Sequence, residues 1–113
     1  MKLAIEKSPD FIGDFDRQFR WYALEAEWAV AMRFLTAVND TLELLAAQPS
    51  LGRVRRFRDE RLRGLRSFRV NPPFNKHLIF YRHDATTLIA ERSVHGARDL
   101  PRRLLQSPGD DDE

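Results

Sequence analysis

The sequence predicts an α+β domain in the order β-α-α-β-β-β, with a helical hairpin on one face of a small antiparallel-rich sheet. A short C-terminal helix is possible. Three observations lead to this class. Apolar residues recur at helical spacing through about 40 residues of the N-terminal half. Short apolar runs separated by turn residues then follow between Arg61 and His95. The length, 113 residues, suits one domain with a modest core.

From Lys2 to Lys7, Leu3 and Ile5 alternate with Lys2, Ala4 and Glu6, the period of a short strand. Ser8-Pro9 opens a helix, because Ser caps free amides and Pro is tolerated in a first turn. Asp10 adds the negative charge that a helix N-terminus favours. Phe11, Phe15, Phe19 and Tyr22 then mark a buried helical face. In the second helix Trp28, Ala31, Leu35, Val38, Leu42 and Leu45 form one stripe, widened by Phe34, Ala37, Thr41 and Leu44. Gln48-Pro49-Ser50-Leu51-Gly52 ends it, since the residue before Pro disfavours helix and Gly permits a turn.

An Arg-rich connection from Arg53 to Glu60 leads into a strand near Arg61 to Val70, broken by Asn71-Pro72-Pro73. His77 to Arg82 is almost continuously apolar, the pattern of a central strand. His83-Asp84-Ala85 makes a turn, and Thr87 to His95 is the last strand. Gly96 frees the backbone before a short terminal helix expected from Ala97 to Leu105. Residues 1–106 thus make one domain, and 107–113 are expected to be a disordered acidic tail. With the hairpin on one face, the other sheet face is expected to stay open to a partner.

Composition is that of a soluble globular protein, 42% hydrophobic and 32% charged. No apolar run reaches the roughly 18 to 20 residues of a membrane span, and the N-terminus lacks a signal-peptide core. The absence of cysteine excludes disulfides and thiolate metal sites and fits a cytoplasmic protein. The net charge of +2 understates how basic the folded part is. Four acids sit at the extreme C-terminus; without them 19 cations face 13 acids. Arginine outnumbers lysine 16 to three, and eight arginines lie between Arg53 and Arg69 against only Asp59 and Glu60. Planar guanidinium groups suit phosphate and carboxylate partners.

Four stretches, taken in order, resemble the RelE/ParE superfamily of bacterial type II toxins from about Leu3 to Leu105. They are Ser8-Pro9 opening the first helix, the long second helix ending in LLAAQPSLGR, the block RLRGLRSFRVNPPFNKHLIFYR, and the closing SVHGARDLPRRLL. The ending HGARDL is most similar to the ParE branch. The resemblance implies a growth-inhibiting toxin of the plasmid-stabilising kind, encoded beside an antitoxin that wraps and neutralises it. In ParE-like members it implies a block of DNA gyrase without catalysis. In RelE-like members it implies a ribosome-dependent endoribonuclease that cleaves mRNA from the open sheet face. A third reading is a toxin fold that has lost toxicity and serves as a binding partner.

RNA cleavage needs a proton acceptor, a proton donor and a cation for the developing phosphorane charge. Histidine ordinarily titrates near neutrality, which makes His95 a candidate for proton transfer; Arg98 follows three residues later, and Tyr81 offers a ring for base stacking. These three are the candidate catalytic residues. Each has a plainer reading: His95 bonding the turn backbone, Arg98 pairing with Asp99 or Asp99 capping the last helix, and Tyr81 in the core. Antitoxin or target contacts are expected at Arg61, Arg63, Arg66, Arg69, Lys76, Arg92 and Arg98. Arg92 is either on the open face or buried with a carboxylate. Phe11, Phe15, Phe19, Trp21 and Trp28 read as core or hairpin packing. His77 and His83 have no metal-ligand spacing, and neither metal nor cofactor is expected. A toxin dimer or a toxin-antitoxin hetero-oligomer is possible. The acidic tail is either inert or folds back on the arginine cluster.

Overall fold

A computed structural model describes residues 2–109. Its elements are β1 (Ala4–Lys7), α1 (Pro9–Glu25), α2 (Trp28–Ala47), β2 (Arg53–Val54), β3 (Arg66–Arg69), β4 (His77–His83), β5 (Thr87–His95) and α3 (Leu100–Leu105). The five strands form one sheet in the order β1-β5-β4-β3-β2. Only the β1–β5 pair is parallel, which the two intervening helices and three intervening strands allow.

The helical hairpin follows the local signals. The Ser8 side chain accepts from the Phe11 amide at 3.0 Å and donates to the Glu91 carbonyl at 2.8 Å, so the cap also ties α1 to β5. Phe11, Ala31, Phe34, Val38, Leu42 and Leu45 are buried, and with Ile79, Tyr81, Leu88 and Ala90 most of them form the core between hairpin and sheet. The Phe15 and Phe34 rings stack at 5.4 Å across the hairpin. The two tryptophans differ: Trp28 makes the hairpin packing expected of it, and Trp21 is largely exposed. Trp28 packs edge-on against Phe19 at 5.4 Å, a hairpin contact, yet 64% of it is exposed; Trp21 is 60% exposed. Trp21 lies about one turn before the end of α1, and Trp28 is the first residue of α2.

The expected open sheet face is closed. Leu78, Phe80 and Val94 on that side pack with Leu62, Leu65, Leu100 and Leu104, and Phe57 joins them. The reason lies in β4, whose residues 77–81 are all buried: a strand apolar on both faces needs cover on both. The cover comes from segments expected to do other things. Asp59 accepts from the Arg61 amide and closes a 3-10 turn at Glu60–Leu62, so the strand expected from Arg61 begins only at Arg66. Conversely, Arg53–Val54 of the expected connection pairs with β3 as an edge strand.

A bulge completes the placement of side chains. Phe80 lies opposite Arg92 while Tyr81 lies opposite Ala90, so Glu91 is the extra residue. Ala90 therefore faces the hairpin core, whereas Val94 faces the second core beneath α3. Gly96 at φ +85° and Asp99 at φ 52° turn the chain into α3, which starts at Leu100 rather than Ala97. Asp99 makes no side-chain cap; its carboxylate lies 3.7 Å from Arg102. Of the expected disordered tail, residues 107–109 are described and include a turn at Pro108-Gly109, with Pro108 against Gly13. Residues 110–113 lie outside the described residues.

Candidate functional site

The candidate catalytic residues do not converge. Tyr81 is fully buried, and its hydroxyl donates to the Pro49 carbonyl at 2.7 Å while accepting from the Gly52 amide at 2.8 Å. A Cβ at Gly52 would stand 2.2 Å from that oxygen, which is why the turn needs glycine there. Burial raises the Tyr81 pKa, so this is a core tyrosine and no base-stacking platform. Arg98 is exposed in the turn before α3, and its carbonyl accepts from Arg103.

His95 ends β5 with its ring 4.8 Å from that of His77, and its carbonyl accepts from Arg103 at 2.6 Å. Burial lowers its pKa, and the nearby charges of Lys76 and Arg103 lower it further. His77 lies deeper, between the rings of Phe34 and Tyr22, and its Nε2 is 2.9 Å from the Tyr22 hydroxyl. Its Nδ1 has no hydrogen-bond partner among the described residues. Burial, and then His95, hold its pKa down to about 4, so the ring is neutral at pH 7.

The arginines expected to contact partners divide into two kinds. Arg92 is buried and grips Asp14 with two nitrogens, at 2.7 and 2.9 Å. Its third nitrogen donates to the carbonyls of Arg103, Leu104 and Gln106, at the end of α3 where the helix leaves acceptors free. The burial reading of Arg92, paired with a carboxylate, therefore holds, and its guanidinium is committed to the fold. Arg66 is half-buried and donates to the Gly52 carbonyl at 2.8 Å, bracing the turn after α2. Arg69 is exposed but straps the 71–76 turn through the Asn75 carbonyl, and Arg61 pairs with Asp59 at 2.7 Å. Arg63, Lys76 and Arg98 are exposed. Arg55, half-buried over the Phe80 ring, has its pKa lowered by burial and by Arg53 and Arg69, a sign of crowded positive charge at the β2–β3 edge.

A second surface lies where β1 stops. β1 pairs with β5 only as far as Ala90, leaving the edge from Glu91 to His95 without a strand. Side chains satisfy it instead. Gln18 donates to the Ser93 carbonyl at 2.8 Å, Asp14 accepts from the Ser93 amide at 2.9 Å, and Arg103 serves His95. A groove of about 560 Å³ runs along this edge. Arg17, Gln18, Trp21 and Tyr22 of α1 form one wall, His77 and Ser93 the floor, and His95 and Arg103 the far side. Sequence reasoning missed Arg17, Arg20, Leu24 and Arg103, and placed Trp21 in packing. The available signal was a second stripe on α1, Arg17-Trp21-Leu24, on a different side from Phe11, Phe15 and Tyr22.

Comparison with known proteins places this geometry. No curated protein sequence matches the chain. A solved structure titled "Chromosomal ParDE TA system from P. aeruginosa" superposes with a TM-score of 0.67 at 11% identity, covering 85% of this chain and 98% of that one. At that identity the likeness concerns the fold. The family model described as ParE toxin of type II toxin-antitoxin system, parDE, matches residues 5–100. With the chain from Ile5 in β1 to Leu100 at the start of α3 inside that match, the chain belongs to the ParE toxins of type II toxin-antitoxin systems.

Proposed function

We propose that this toxin arrests growth in the cytoplasm by blocking DNA gyrase through protein contact, without cleaving RNA, and that direct binding of the antitoxin neutralises it. The observation that carries the non-catalytic reading is the fate of the groups nuclease chemistry would recruit. Tyr81 is locked between Pro49 and Gly52, Arg92 is bound to Asp14, and Arg66 braces a turn. Acid/base cleavage needs two proton-transfer groups on opposite sides of one phosphate. His95 is one such group, and the rings and cations around it belong to His77, Lys76 and Arg103. The closed second face supports the same reading, because Phe57, Leu62, Leu65, Leu100 and Leu104 occupy the side of the sheet where a nucleotide would lie.

The exposed charge that remains, at Arg53, Arg56, Arg58 and Arg63, suits an acidic protein surface met at its rim. The test is expression of the toxin without antitoxin, followed by separate assays of gyrase supercoiling and mRNA integrity. Lost supercoiling with intact mRNA is expected. Fragmented mRNA with normal supercoiling would instead establish the endoribonuclease, with His95 as its first suspect.

A further inference from the structure

We propose that the β2–β3 edge carries a binding site for a phosphate group, built from Arg53, Arg55 and Arg69 around Ser67. This goes beyond the inhibition of gyrase and does not depend on it. The strand register supplies the arrangement. Arg53 lies opposite Ser67, and the Arg55 amide donates to the Leu65 carbonyl at 2.9 Å, which extends the same ladder by one residue. Residues two apart on a strand share a face, so Arg53, Arg55, Ser67 and Arg69 lie on one side of the edge, with about 7 Å between successive positions on a strand. Arg55 runs back along this side. Its Nε donates to the Ser67 hydroxyl at 2.8 Å, and its guanidinium lies 5.7 Å from the centre of the Phe80 ring. It is thus drawn toward Arg53 and Arg69, although like charges repel.

The charge gathered there has no internal counterpart. Among the described residues the Arg53 side chain has no hydrogen-bond or ion-pair partner, and Arg69 donates one nitrogen to the Asn75 carbonyl. Asp59 is held by Arg61 at 2.7 Å, and Glu91 lies 3.3 Å from Arg82. Burial lowers the Arg55 pKa, and the charges that lower it further are the cations Arg53 and Arg69. Ser67, buried at the centre, accepts from Arg55 and keeps its own hydroxyl proton for an arriving oxygen. Elsewhere in the molecule a single arginine answers a carboxylate with two nitrogens, as Arg92 does for Asp14 and Arg61 for Asp59. Three guanidinium groups exceed what the two oxygens and single charge of a carboxylate can use. A phosphate, with more charge and oxygens on every side, matches them.

The experiment titrates the intact toxin with inorganic phosphate, with malonate and with a short duplex DNA at constant ionic strength, following the Arg55 Nε–H resonance by NMR. Phosphate is expected to shift that resonance at concentrations where malonate, a dicarboxylate, leaves it in place. Arg53→Glu should weaken phosphate binding at least tenfold and Arg69→Ala at least threefold, roughly the loss of a charge-assisted contact. Arg33→Glu makes the same change of net charge on an exposed part of α2 and should alter affinity less than about twofold. Arg53 and Arg69 are exposed, and thermal midpoints without ligand confirm that each variant is folded. Phosphate raises the wild-type midpoint and leaves that of Arg53→Glu unchanged, as binding to the folded state requires. Duplex binding that weakens in step with phosphate across the variants assigns the group to a nucleic-acid backbone; duplex binding indifferent to them assigns it to a free phosphate compound. Either result supports the site. Equal responses to phosphate and malonate overturn it, and so do equal losses in Arg53→Glu and Arg33→Glu, which mark a diffuse effect of net charge.

Discussion

Arg92 carries its charge into a site where only 10% of its side chain is exposed, and acceptors from two helices surround it there. Removing one partner strands the other, so Arg92→Ala is expected to cost about 3–5 kcal/mol in urea unfolding. The apolar pair Asp14→Leu with Arg92→Met should cost clearly less than the two single changes added together. Tyr81→Phe leaves the Gly52 amide and the Pro49 carbonyl without their partner, at about 1–3 kcal/mol. Its toxicity at a temperature where it remains folded should equal wild type, because the hydroxyl serves the turn. His77 makes a pH prediction. Its folded pKa is depressed to about 4 by burial and by His95, while the unfolded ring keeps a value near 6.5. Below pH 6.5 the unfolded chain takes up a proton that the folded chain refuses. Stability is therefore complete above pH 6.5, falls by roughly 3 kcal/mol toward pH 4, and then levels as far as this group is concerned. Denaturant midpoints of wild type and His77→Phe between pH 4 and 7.5 check this; the variant should lose part of the acid slope.

At the scale of elements, α3 has the largest effect for its size. Six residues long, it sets Leu100 and Leu104 over Leu78, Phe80 and Val94, and its last carbonyls receive Arg92. A helix this short has no stability of its own, so docking maintains it. Leu104→Ala is expected to cost about 2–5 kcal/mol by chemical unfolding. The two sheet edges are protected by different means. β2 is a two-residue strand whose neighbourhood is rich in arginine, and beyond β1 the β5 edge is closed by side chains of α1 and α3. Short, charged or covered edges discourage unplanned strand pairing.

For the whole molecule, one sheet separates two apolar layers, the hairpin core on one side and a smaller layer of loop and α3 residues on the other. The hairpin was legible before any coordinates because cap, period and stop signals are local. β4 and β5 were legible for the same reason, and so was the family, whose signature is the order of such segments. The Arg61–Val70 strand was misread because Asp59 capturing the Arg61 amide is a short-range contact that alternation does not report. The face of Arg92 depended on the bulge at Glu91, which reverses inside and outside with no change of sequence pattern. The groove was illegible because its walls, α1 and the His95–Arg103 segment, lie more than 70 residues apart in the chain. Sequence by itself determined the helical hairpin and the strands β4 and β5, since capping and periodicity act within a few residues. Only the tertiary structure decided which arginines brace the fold and which face solvent, because a guanidinium's role depends on the acceptors that distant segments bring to it.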